Sequence, residues 1–145
     1  MKVRVIACGN PFMGNDAAGL AVMALLRKEH PGLDVVDGGT GGLGLIPLME
    51  GYDRVVIVDA TSGMGELGQV RVFREVAGWH IPSISLHELG LPEVVALARA
   101  LGIGPEVVVV GIEGGPVPGF SGEMDPQVKA AIPEACRVVM GEVER

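Results

Sequence analysis

Short, continuously apolar β-branched runs alternate along this chain with longer segments of helical period, and few folds accept that alternation. Residues 2–7 read as a first strand that ends at Gly9-Asn10-Pro11. From residue 16 to about residue 30, Ala17, Leu20, Ala21, Ala24 and Leu25 recur at helical spacing, with Asp16 where an N-cap belongs and Pro31-Gly32 as the stop. Residues 33–36 form a second strand, followed by the glycine-dense Asp37-Gly38-Gly39-Thr40-Gly41-Gly42 and a short helix over 43–50. Arg54-Val55-Val56-Ile57-Val58 is a buried strand ending at Asp59, and residues 107–110 form another. Residues 69–73 alternate Val70 and Val72 with Arg71, as a half-exposed edge strand does. Helices are expected over 92–101, with Pro92 in the first turn, and over 127–142. Strands apolar on both faces and joined by helices predict an α/β fold, a parallel sheet covered by helices on both sides.

The 145 residues suffice for one domain, 1–145, with no repeat, linker or low-complexity tract. A hydrophobic fraction of 48% excludes intrinsic disorder. A net charge of −7 repels polyanions and 3% aromatics leaves few stacking platforms, so nucleic acid is not an expected partner. Two cysteines without a CxxC pair make no disulfide framework. The apolar runs are strand-sized, too short for a secretory signal or a spanning helix, and the expectation is a soluble cytoplasmic domain with no membrane partner.

In a parallel sheet, ligands bind beyond the carboxyl ends of the strands. Asn10 and Asp16, Asp37 to Thr40, Asp59-Ala60-Thr61, and Gly111-Ile112-Glu113 belong to that edge. Gly39-Thr40-Gly41-Gly42-Leu43-Gly44 matches the dinucleotide fingerprint, with Asp59 following at the right distance. It follows the second strand, however, and opens a helix of barely two turns, so a glycine turn without phosphate is the simpler reading. Gly9 to Gly14 has half of a P-loop, but Asn15-Asp16 stand where lysine and a hydroxyl are needed. Cys8 ends the first strand with no histidine nearby in sequence and reads as a small core residue, as does Cys136, and no G-x-S-x-G elbow exists. Of the histidines, His30 ends a charged helix tail, His80 follows Trp79 in a loop, and His87 stands in Ser85-Leu86-His87-Glu88-Leu89-Gly90 just before a helix. Singly, Asp16 is an N-cap, Asp59 a strand-end turn former and His87 a satisfied structural histidine. Together they form a divalent-metal triad of two carboxylates and one imidazole.

Residues 5–19, Val-Ile-Ala-Cys-Gly-Asn-Pro-Phe-Met-Gly-Asn-Asp-Ala-Ala-Gly, resemble the opening of the hydrogenase maturation endopeptidases. Those enzymes clip the C-terminal extension from the large subunit of nickel-iron hydrogenases. The resemblance continues, in the family's order, through Asp37-Gly38-Gly39-Thr40, Val58-Asp59-Ala60, His87-Glu88-Leu89-Gly90 and Gly111-Ile112-Glu113. It implies an α/β/α sandwich with a mostly parallel sheet of about five strands. It also implies that Asp16, Asp59 and His87 are the metal-binding and catalytic residues, and that Asp37, Gly38, Gly39 and Thr40 receive the substrate. Asn15 and Ala17 depart from the usual acidic residue and glycine. The implied partner is a hydrogenase large-subunit precursor, and the implied cofactor is a divalent metal, either resident or the nickel of the substrate, with no organic cofactor. A resident metal would polarise the scissile carbonyl and acidify a water; nickel carried by the precursor would instead gate cleavage, the version these three ligands favour. Two alternatives remain open from the residues: a nickel-sensing chaperone that does not cut, and a small nucleotide-binding domain. Glu113 and the loop Gly114-Gly115-Pro116-Val117-Pro118-Gly119-Phe120 are either a peptide-gripping surface or an ordinary connection. Leu43, Leu45 and Met49 offer an apolar surface or simply pack in the core.

Overall fold

The computed structural model describes residues 1–74, 90–116 and 123–145. Five strands form one sheet: β1 (Val3–Ala7), β2 (Val35–Asp37), β3 (Arg54–Thr61), β4 (Val70–Phe73) and β5 (Glu106–Glu113), in the order β2-β1-β3-β5-β4. The β1–β2, β1–β3 and β3–β5 pairs are parallel, and β4 runs antiparallel along β5. Helices α1 (Ala18–Glu29), α2 (Leu45–Met49), α3 (Leu91–Ala100) and α4 (Pro126–Glu144) flank it, with one-turn 3-10 helices at Gly14–Ala17 and Gly42–Gly44.

The strands sort their side chains by parity, as a pleated sheet requires. Val56, Val58, Val110 and Ile112 face α1 and α4, where Val22, Leu26, Val128, Ala135 and Val139 meet them. Val55, Ile57, Val107 and Val109 face the other way, with Ile6 and Cys8 of the β1 side, and are covered by Leu45 and Met49 of α2 and Val94, Val95 and Ala98 of α3. Both faces are therefore dry, which is why β3 is buried along its whole length. The three-layer α/β/α sandwich is as the sequence implied.

Two strands run further than their sequences suggested. β3 continues past Val58 to Thr61, because β5 runs beside it to Glu113 with Asp59 opposite Gly111 and Thr61 opposite Glu113. Asp59 is therefore a strand residue and not a turn former. The first helix also begins later. Asp16 lies inside the 3-10 turn, α1 starts at Ala18, and no side chain caps it, so the N-cap expectation for Asp16 fails. The second strand lies at Val35–Asp37, starting two residues and ending one residue later than expected, and the expected 43–50 helix is a 3-10 turn followed by α2.

At the amino edge of the sheet, charges fasten α4. Arg54, buried at the start of β3, donates to Glu106 Oε2 at 3.2 and 3.3 Å and to the carbonyls of Glu142 and Arg145 at 3.1 and 3.0 Å. Arg74 grips the buried Glu142 carboxylate with both nitrogens, the Oε2 contact at 2.8 Å. Those hydrogen bonds hold the Glu142 carboxyl below its ordinary value of 4.5 despite burial, and Arg145 does the same for Glu106. A depressed folded-state pKa adds stability above the unfolded pKa and loses it as pH falls through the folded one. Melting temperature is therefore expected to be flat from about pH 7 to 5 and to fall steadily below about pH 4. Glu142→Gln should melt lower at neutral pH, with a shallower acid fall, so that the two curves converge toward about pH 3. Parallel curves would exclude this pair as the source.

Candidate active site

The carboxyl edge gathers the residues singled out by sequence because β1 ends beside Val58 of β3, one residue before Asp59. Ala7 lies opposite Val58, so the next pair in register is Cys8 and Asp59, and the Cys8 amide donates to the Val58 carbonyl at 2.9 Å. Asp59 continues the column of Val55 and Ile57, the face that Cys8 shares. The first loop folds back over this junction. An ideal Cβ on Gly9 would stand 2.3 Å from the Asp16 carbonyl oxygen, so only a bare backbone allows the turn bearing Asp16 to close down there. Asp16 and Asp59 are 2% and 3% exposed, and Asp59 Oδ1 accepts from the Ala60 amide at 2.8 Å.

The turn after β2 is laced to the same place. The Gly38 amide donates to the Ala7 carbonyl at 2.7 Å, and the Gly9 amide donates to the Gly39 carbonyl at 2.8 Å. Asp37 Oδ1 takes the Gly39 amide at 2.7 Å, an Asx-turn that shapes the bend. Asp37, Gly39 and Thr40 are exposed and Gly38 is half-buried, so this turn forms an open shelf beside two buried carboxylates. Gly39, Gly41 and Gly42 all adopt positive φ, and the helix they precede has five residues. Backbone shape thus accounts for the glycine fingerprint, and so short a helix offers no worthwhile dipole to a pyrophosphate.

Electrostatics report the same convergence. Cys8 is fully buried, and burial, joined by the negative charges of Asp59, Asp37 and Asp16, pushes its thiol far above the ordinary range. Such a thiol is a core residue and not a nucleophile. Cys136 is also buried, its thiol pushed up to about 11 chiefly by burial. Three carboxylates focused on one edge make a field that attracts cations. Among the described residues, no three His, Cys, Asp or Glu side chains form a group that could hold a metal ion. A third ligand to Asp16 and Asp59 would have to come from elsewhere; His87, with the rest of Ser85 to Leu89, lies outside the described residues, as do Trp79, His80 and Val117 to Phe120. The donor set that the sequence names, two carboxylate oxygens and an imidazole nitrogen, suits a first-row divalent ion.

Glu113 has a different job. It is 1% exposed, and its Oε1 accepts from Thr61 Oγ1 at 3.1 Å and the Met64 amide at 3.0 Å. Its Oε2 accepts from the Gly63 and Gly115 amides, both at 2.9 Å. Four donors saturate the carboxylate, which pins the loops leaving β3 and β5. Leu45 and Met49 are fully buried and belong to the core, whereas Leu43 and Phe12 are 52% and 80% exposed at this edge. Sequence reasoning missed the role of Asn15. It is 2% exposed and bonds to Gly114 and Asp125, partners with no local signal in the chain.

The profile of the hydrogenase maturation protease family matches residues 21–142. The chain belongs to that family. As a hydrogenase maturation protease it is an endopeptidase, a hydrolase. It is 29% identical over 119 residues to the hydrogenase 2 maturation protease of Escherichia coli K12, covering 77% of this chain and 73% of that protein. It is 26% identical over 152 residues to the hydrogenase expression/formation protein HupD of Bradyrhizobium diazoefficiens, covering 95% and 78%. Among solved structures, it resembles the hydrogenase maturating endopeptidase HybD from E. coli with a TM-score of 0.84 at 25% identity, over 99% of this chain and 93% of that one. The maturation protease HybD from Thermococcus kodakarensis follows with a TM-score of 0.78 at 26% identity, over 97% and 98%. The family match starts after Asp16, whereas the HybD likeness spans nearly the whole chain, first loop included. None of the protease's described helices is long and apolar enough to cross a membrane.

Proposed function

We propose that this protease removes the C-terminal extension of a nickel-iron hydrogenase large-subunit precursor once nickel has been inserted, acting in the cytoplasm. The observation that carries the reading is the pair of buried carboxylates, Asp16 and Asp59, at the ends of a protease fold whose thiols are buried and protonated. With no activated nucleophile among the described residues, peptide hydrolysis falls to a metal-assisted water. The metal arrives with the substrate: Asp16, Asp59 and His87 contact the precursor's nickel, while the shelf of Asp37, Gly38, Gly39 and Thr40 receives the extended C-terminal segment. The carboxylates hold the nickel-bearing end of the precursor in place and take up the proton of the attacking water. A precursor without nickel lacks the group these ligands recognise and is not cut. The two buried free cysteines accord with a reducing compartment.

The test is to incubate the purified protein with nickel-loaded and nickel-free large-subunit precursor and to weigh both. Loss of a C-terminal peptide from the loaded form alone is the expected result. Equal cleavage of both forms would overturn the nickel gate. Binding without any mass change would replace the protease reading with a chaperone.

A further inference from the structure

The geometry points to Asn15 as a positioning residue that holds Asp16 in register with the rest of the site; this rests on the reading of Asp16 as a substrate-contacting ligand. The turn bearing Asp16 is a single 3-10 turn, Gly14–Ala17, closed by the Asp16 amide on the Met13 carbonyl at 3.0 Å. One turn of that kind does not hold its shape by itself. Asn15 supplies the missing restraint. Its Nδ2 donates to the Gly114 carbonyl at 2.9 Å and to Asp125 Oδ2 at 2.8 Å, and its Oδ1 accepts from the Asp125 amide at 2.8 Å. Both amide hydrogens and the amide oxygen are thus engaged in a side chain that is 2% exposed.

The partners lie on the fixed frame of the molecule. Gly114 follows Glu113, whose carboxylate is saturated, and Asp125 stands at the head of α4, where an aspartate ordinarily turns back to cap its own helix. This one makes no such bond; its side chain goes to Asn15. Only an amide serves here. A carboxylate cannot donate to the Gly114 carbonyl and would face the Asp125 carboxylate, while an alkyl group would strand all three partners.

Steady-state processing of nickel-loaded precursor by Asn15→Ala, Asn15→Asp, Asp125→Ala, the double exchange Asn15→Asp/Asp125→Asn, and Asp16→Ala as reference tests this, with a melting curve for each. Asn15→Ala is expected to lower kcat by roughly ten- to a hundredfold with KM within about twofold, as a misplaced but intact ligand does. Asn15→Asp should lose at least as much, and the double exchange should recover about fivefold or more of that loss, because the amide introduced at position 125 then donates across the same gap. Recovery stays incomplete, since the Gly114 carbonyl still lacks its donor. Should Asn15→Ala fail to fold, Asp125→Ala carries the test: at an exposed position it removes one bond and is expected to lower kcat by about threefold or more. Parental kcat in folded Asn15→Ala or Asp125→Ala, a loss confined to KM, or a double exchange no better than Asn15→Asp would overturn the inference. Inactive Asp16→Ala beside fully active Asn15→Ala would sink it alone; active Asp16→Ala would sink the proposed reading of the site as well.

Discussion

Asp59→Asn is expected to reduce processing of nickel-loaded precursor by at least about a hundredfold while leaving the fold intact. The substitution keeps the shape and the oxygen that accepts the Ala60 amide at 2.8 Å, so no cavity opens and that local bond survives. What it removes is negative charge at a 3% exposed position at the carboxyl edge. A residue serving the fold would show its loss in the melting temperature. Here the removed charge sits among Asp16 and Asp37, whose fields reach the same buried thiol. Taking one such charge away relieves repulsion, and melting should shift by less than about 4 °C, in either direction. Asp16→Asn is expected to behave alike, and their combination should cost little more than either alone, because in the proposed reading the two serve one ion as a unit. Precursor mass against time, with a melting curve at matched pH, checks this. Parental cleavage by folded Asp59→Asn would remove the carboxylate pair from the mechanism; a large fall in melting temperature with proportionate loss of activity would make Asp59 a structural residue.

How much of this was legible depended on whether the signal was local. The runs Val55-Val56-Ile57-Val58 and Val107-Val108-Val109-Val110 announced doubly buried parallel strands, and both are there. Their ends were not legible, since β3 stops where β5 ceases to pair with it, a property of two segments 52 residues apart. The direction of β4 was equally hidden: Val70 and Val72 mark an edge strand whichever way it runs, and only pairing with β5 makes it antiparallel. Asp16 and Asp59 were placed at the carboxyl edge but misread as local structure, one as a cap and one as a turn, because aspartate favours both roles in isolation. Glu113 was placed at the correct edge and its four donors were invisible, one at the end of β3 and three in loops whose paths follow from it. Asn15 and Asp125 stand 110 residues apart, and nothing in either neighbourhood foretells the other.

Gly19→Ala is expected to destabilise the protein strongly for the addition of one methyl group. Gly19 lies in the first turn of α1, where the helix crosses the ends of β1 and β3. A Cβ there would stand 2.3 Å from the Cys8 carbonyl oxygen and 2.7 Å from that of Val58. Neither oxygen is the end of a flexible side chain; both belong to backbone in or beside the sheet ladder. The helix must therefore withdraw, opening the packing of Ala18, Val22 and Leu26 on the sheet. Overpacking of this kind costs about 1–3 kcal/mol, and alanine's helix preference returns less than about 1 kcal/mol so near the helix end. A net loss of about 2 kcal/mol, or roughly 5–8 °C in melting temperature, is expected. Gly141→Ala is the control: it lies within α4 with nothing near its would-be Cβ, and should stabilise by about 0.5–1 kcal/mol. Urea unfolding of the two variants beside the parent measures both, and a Gly19→Ala midpoint at or above the parent's would show that the close approach is not real. The consequence for the site follows from the same contact. The Asp16 turn runs directly into α1, and Val58 directly precedes Asp59, so withdrawing the helix pulls the two carboxylates apart. Processing by Gly19→Ala, measured well below its melting temperature, should accordingly fall further than its folded fraction accounts for.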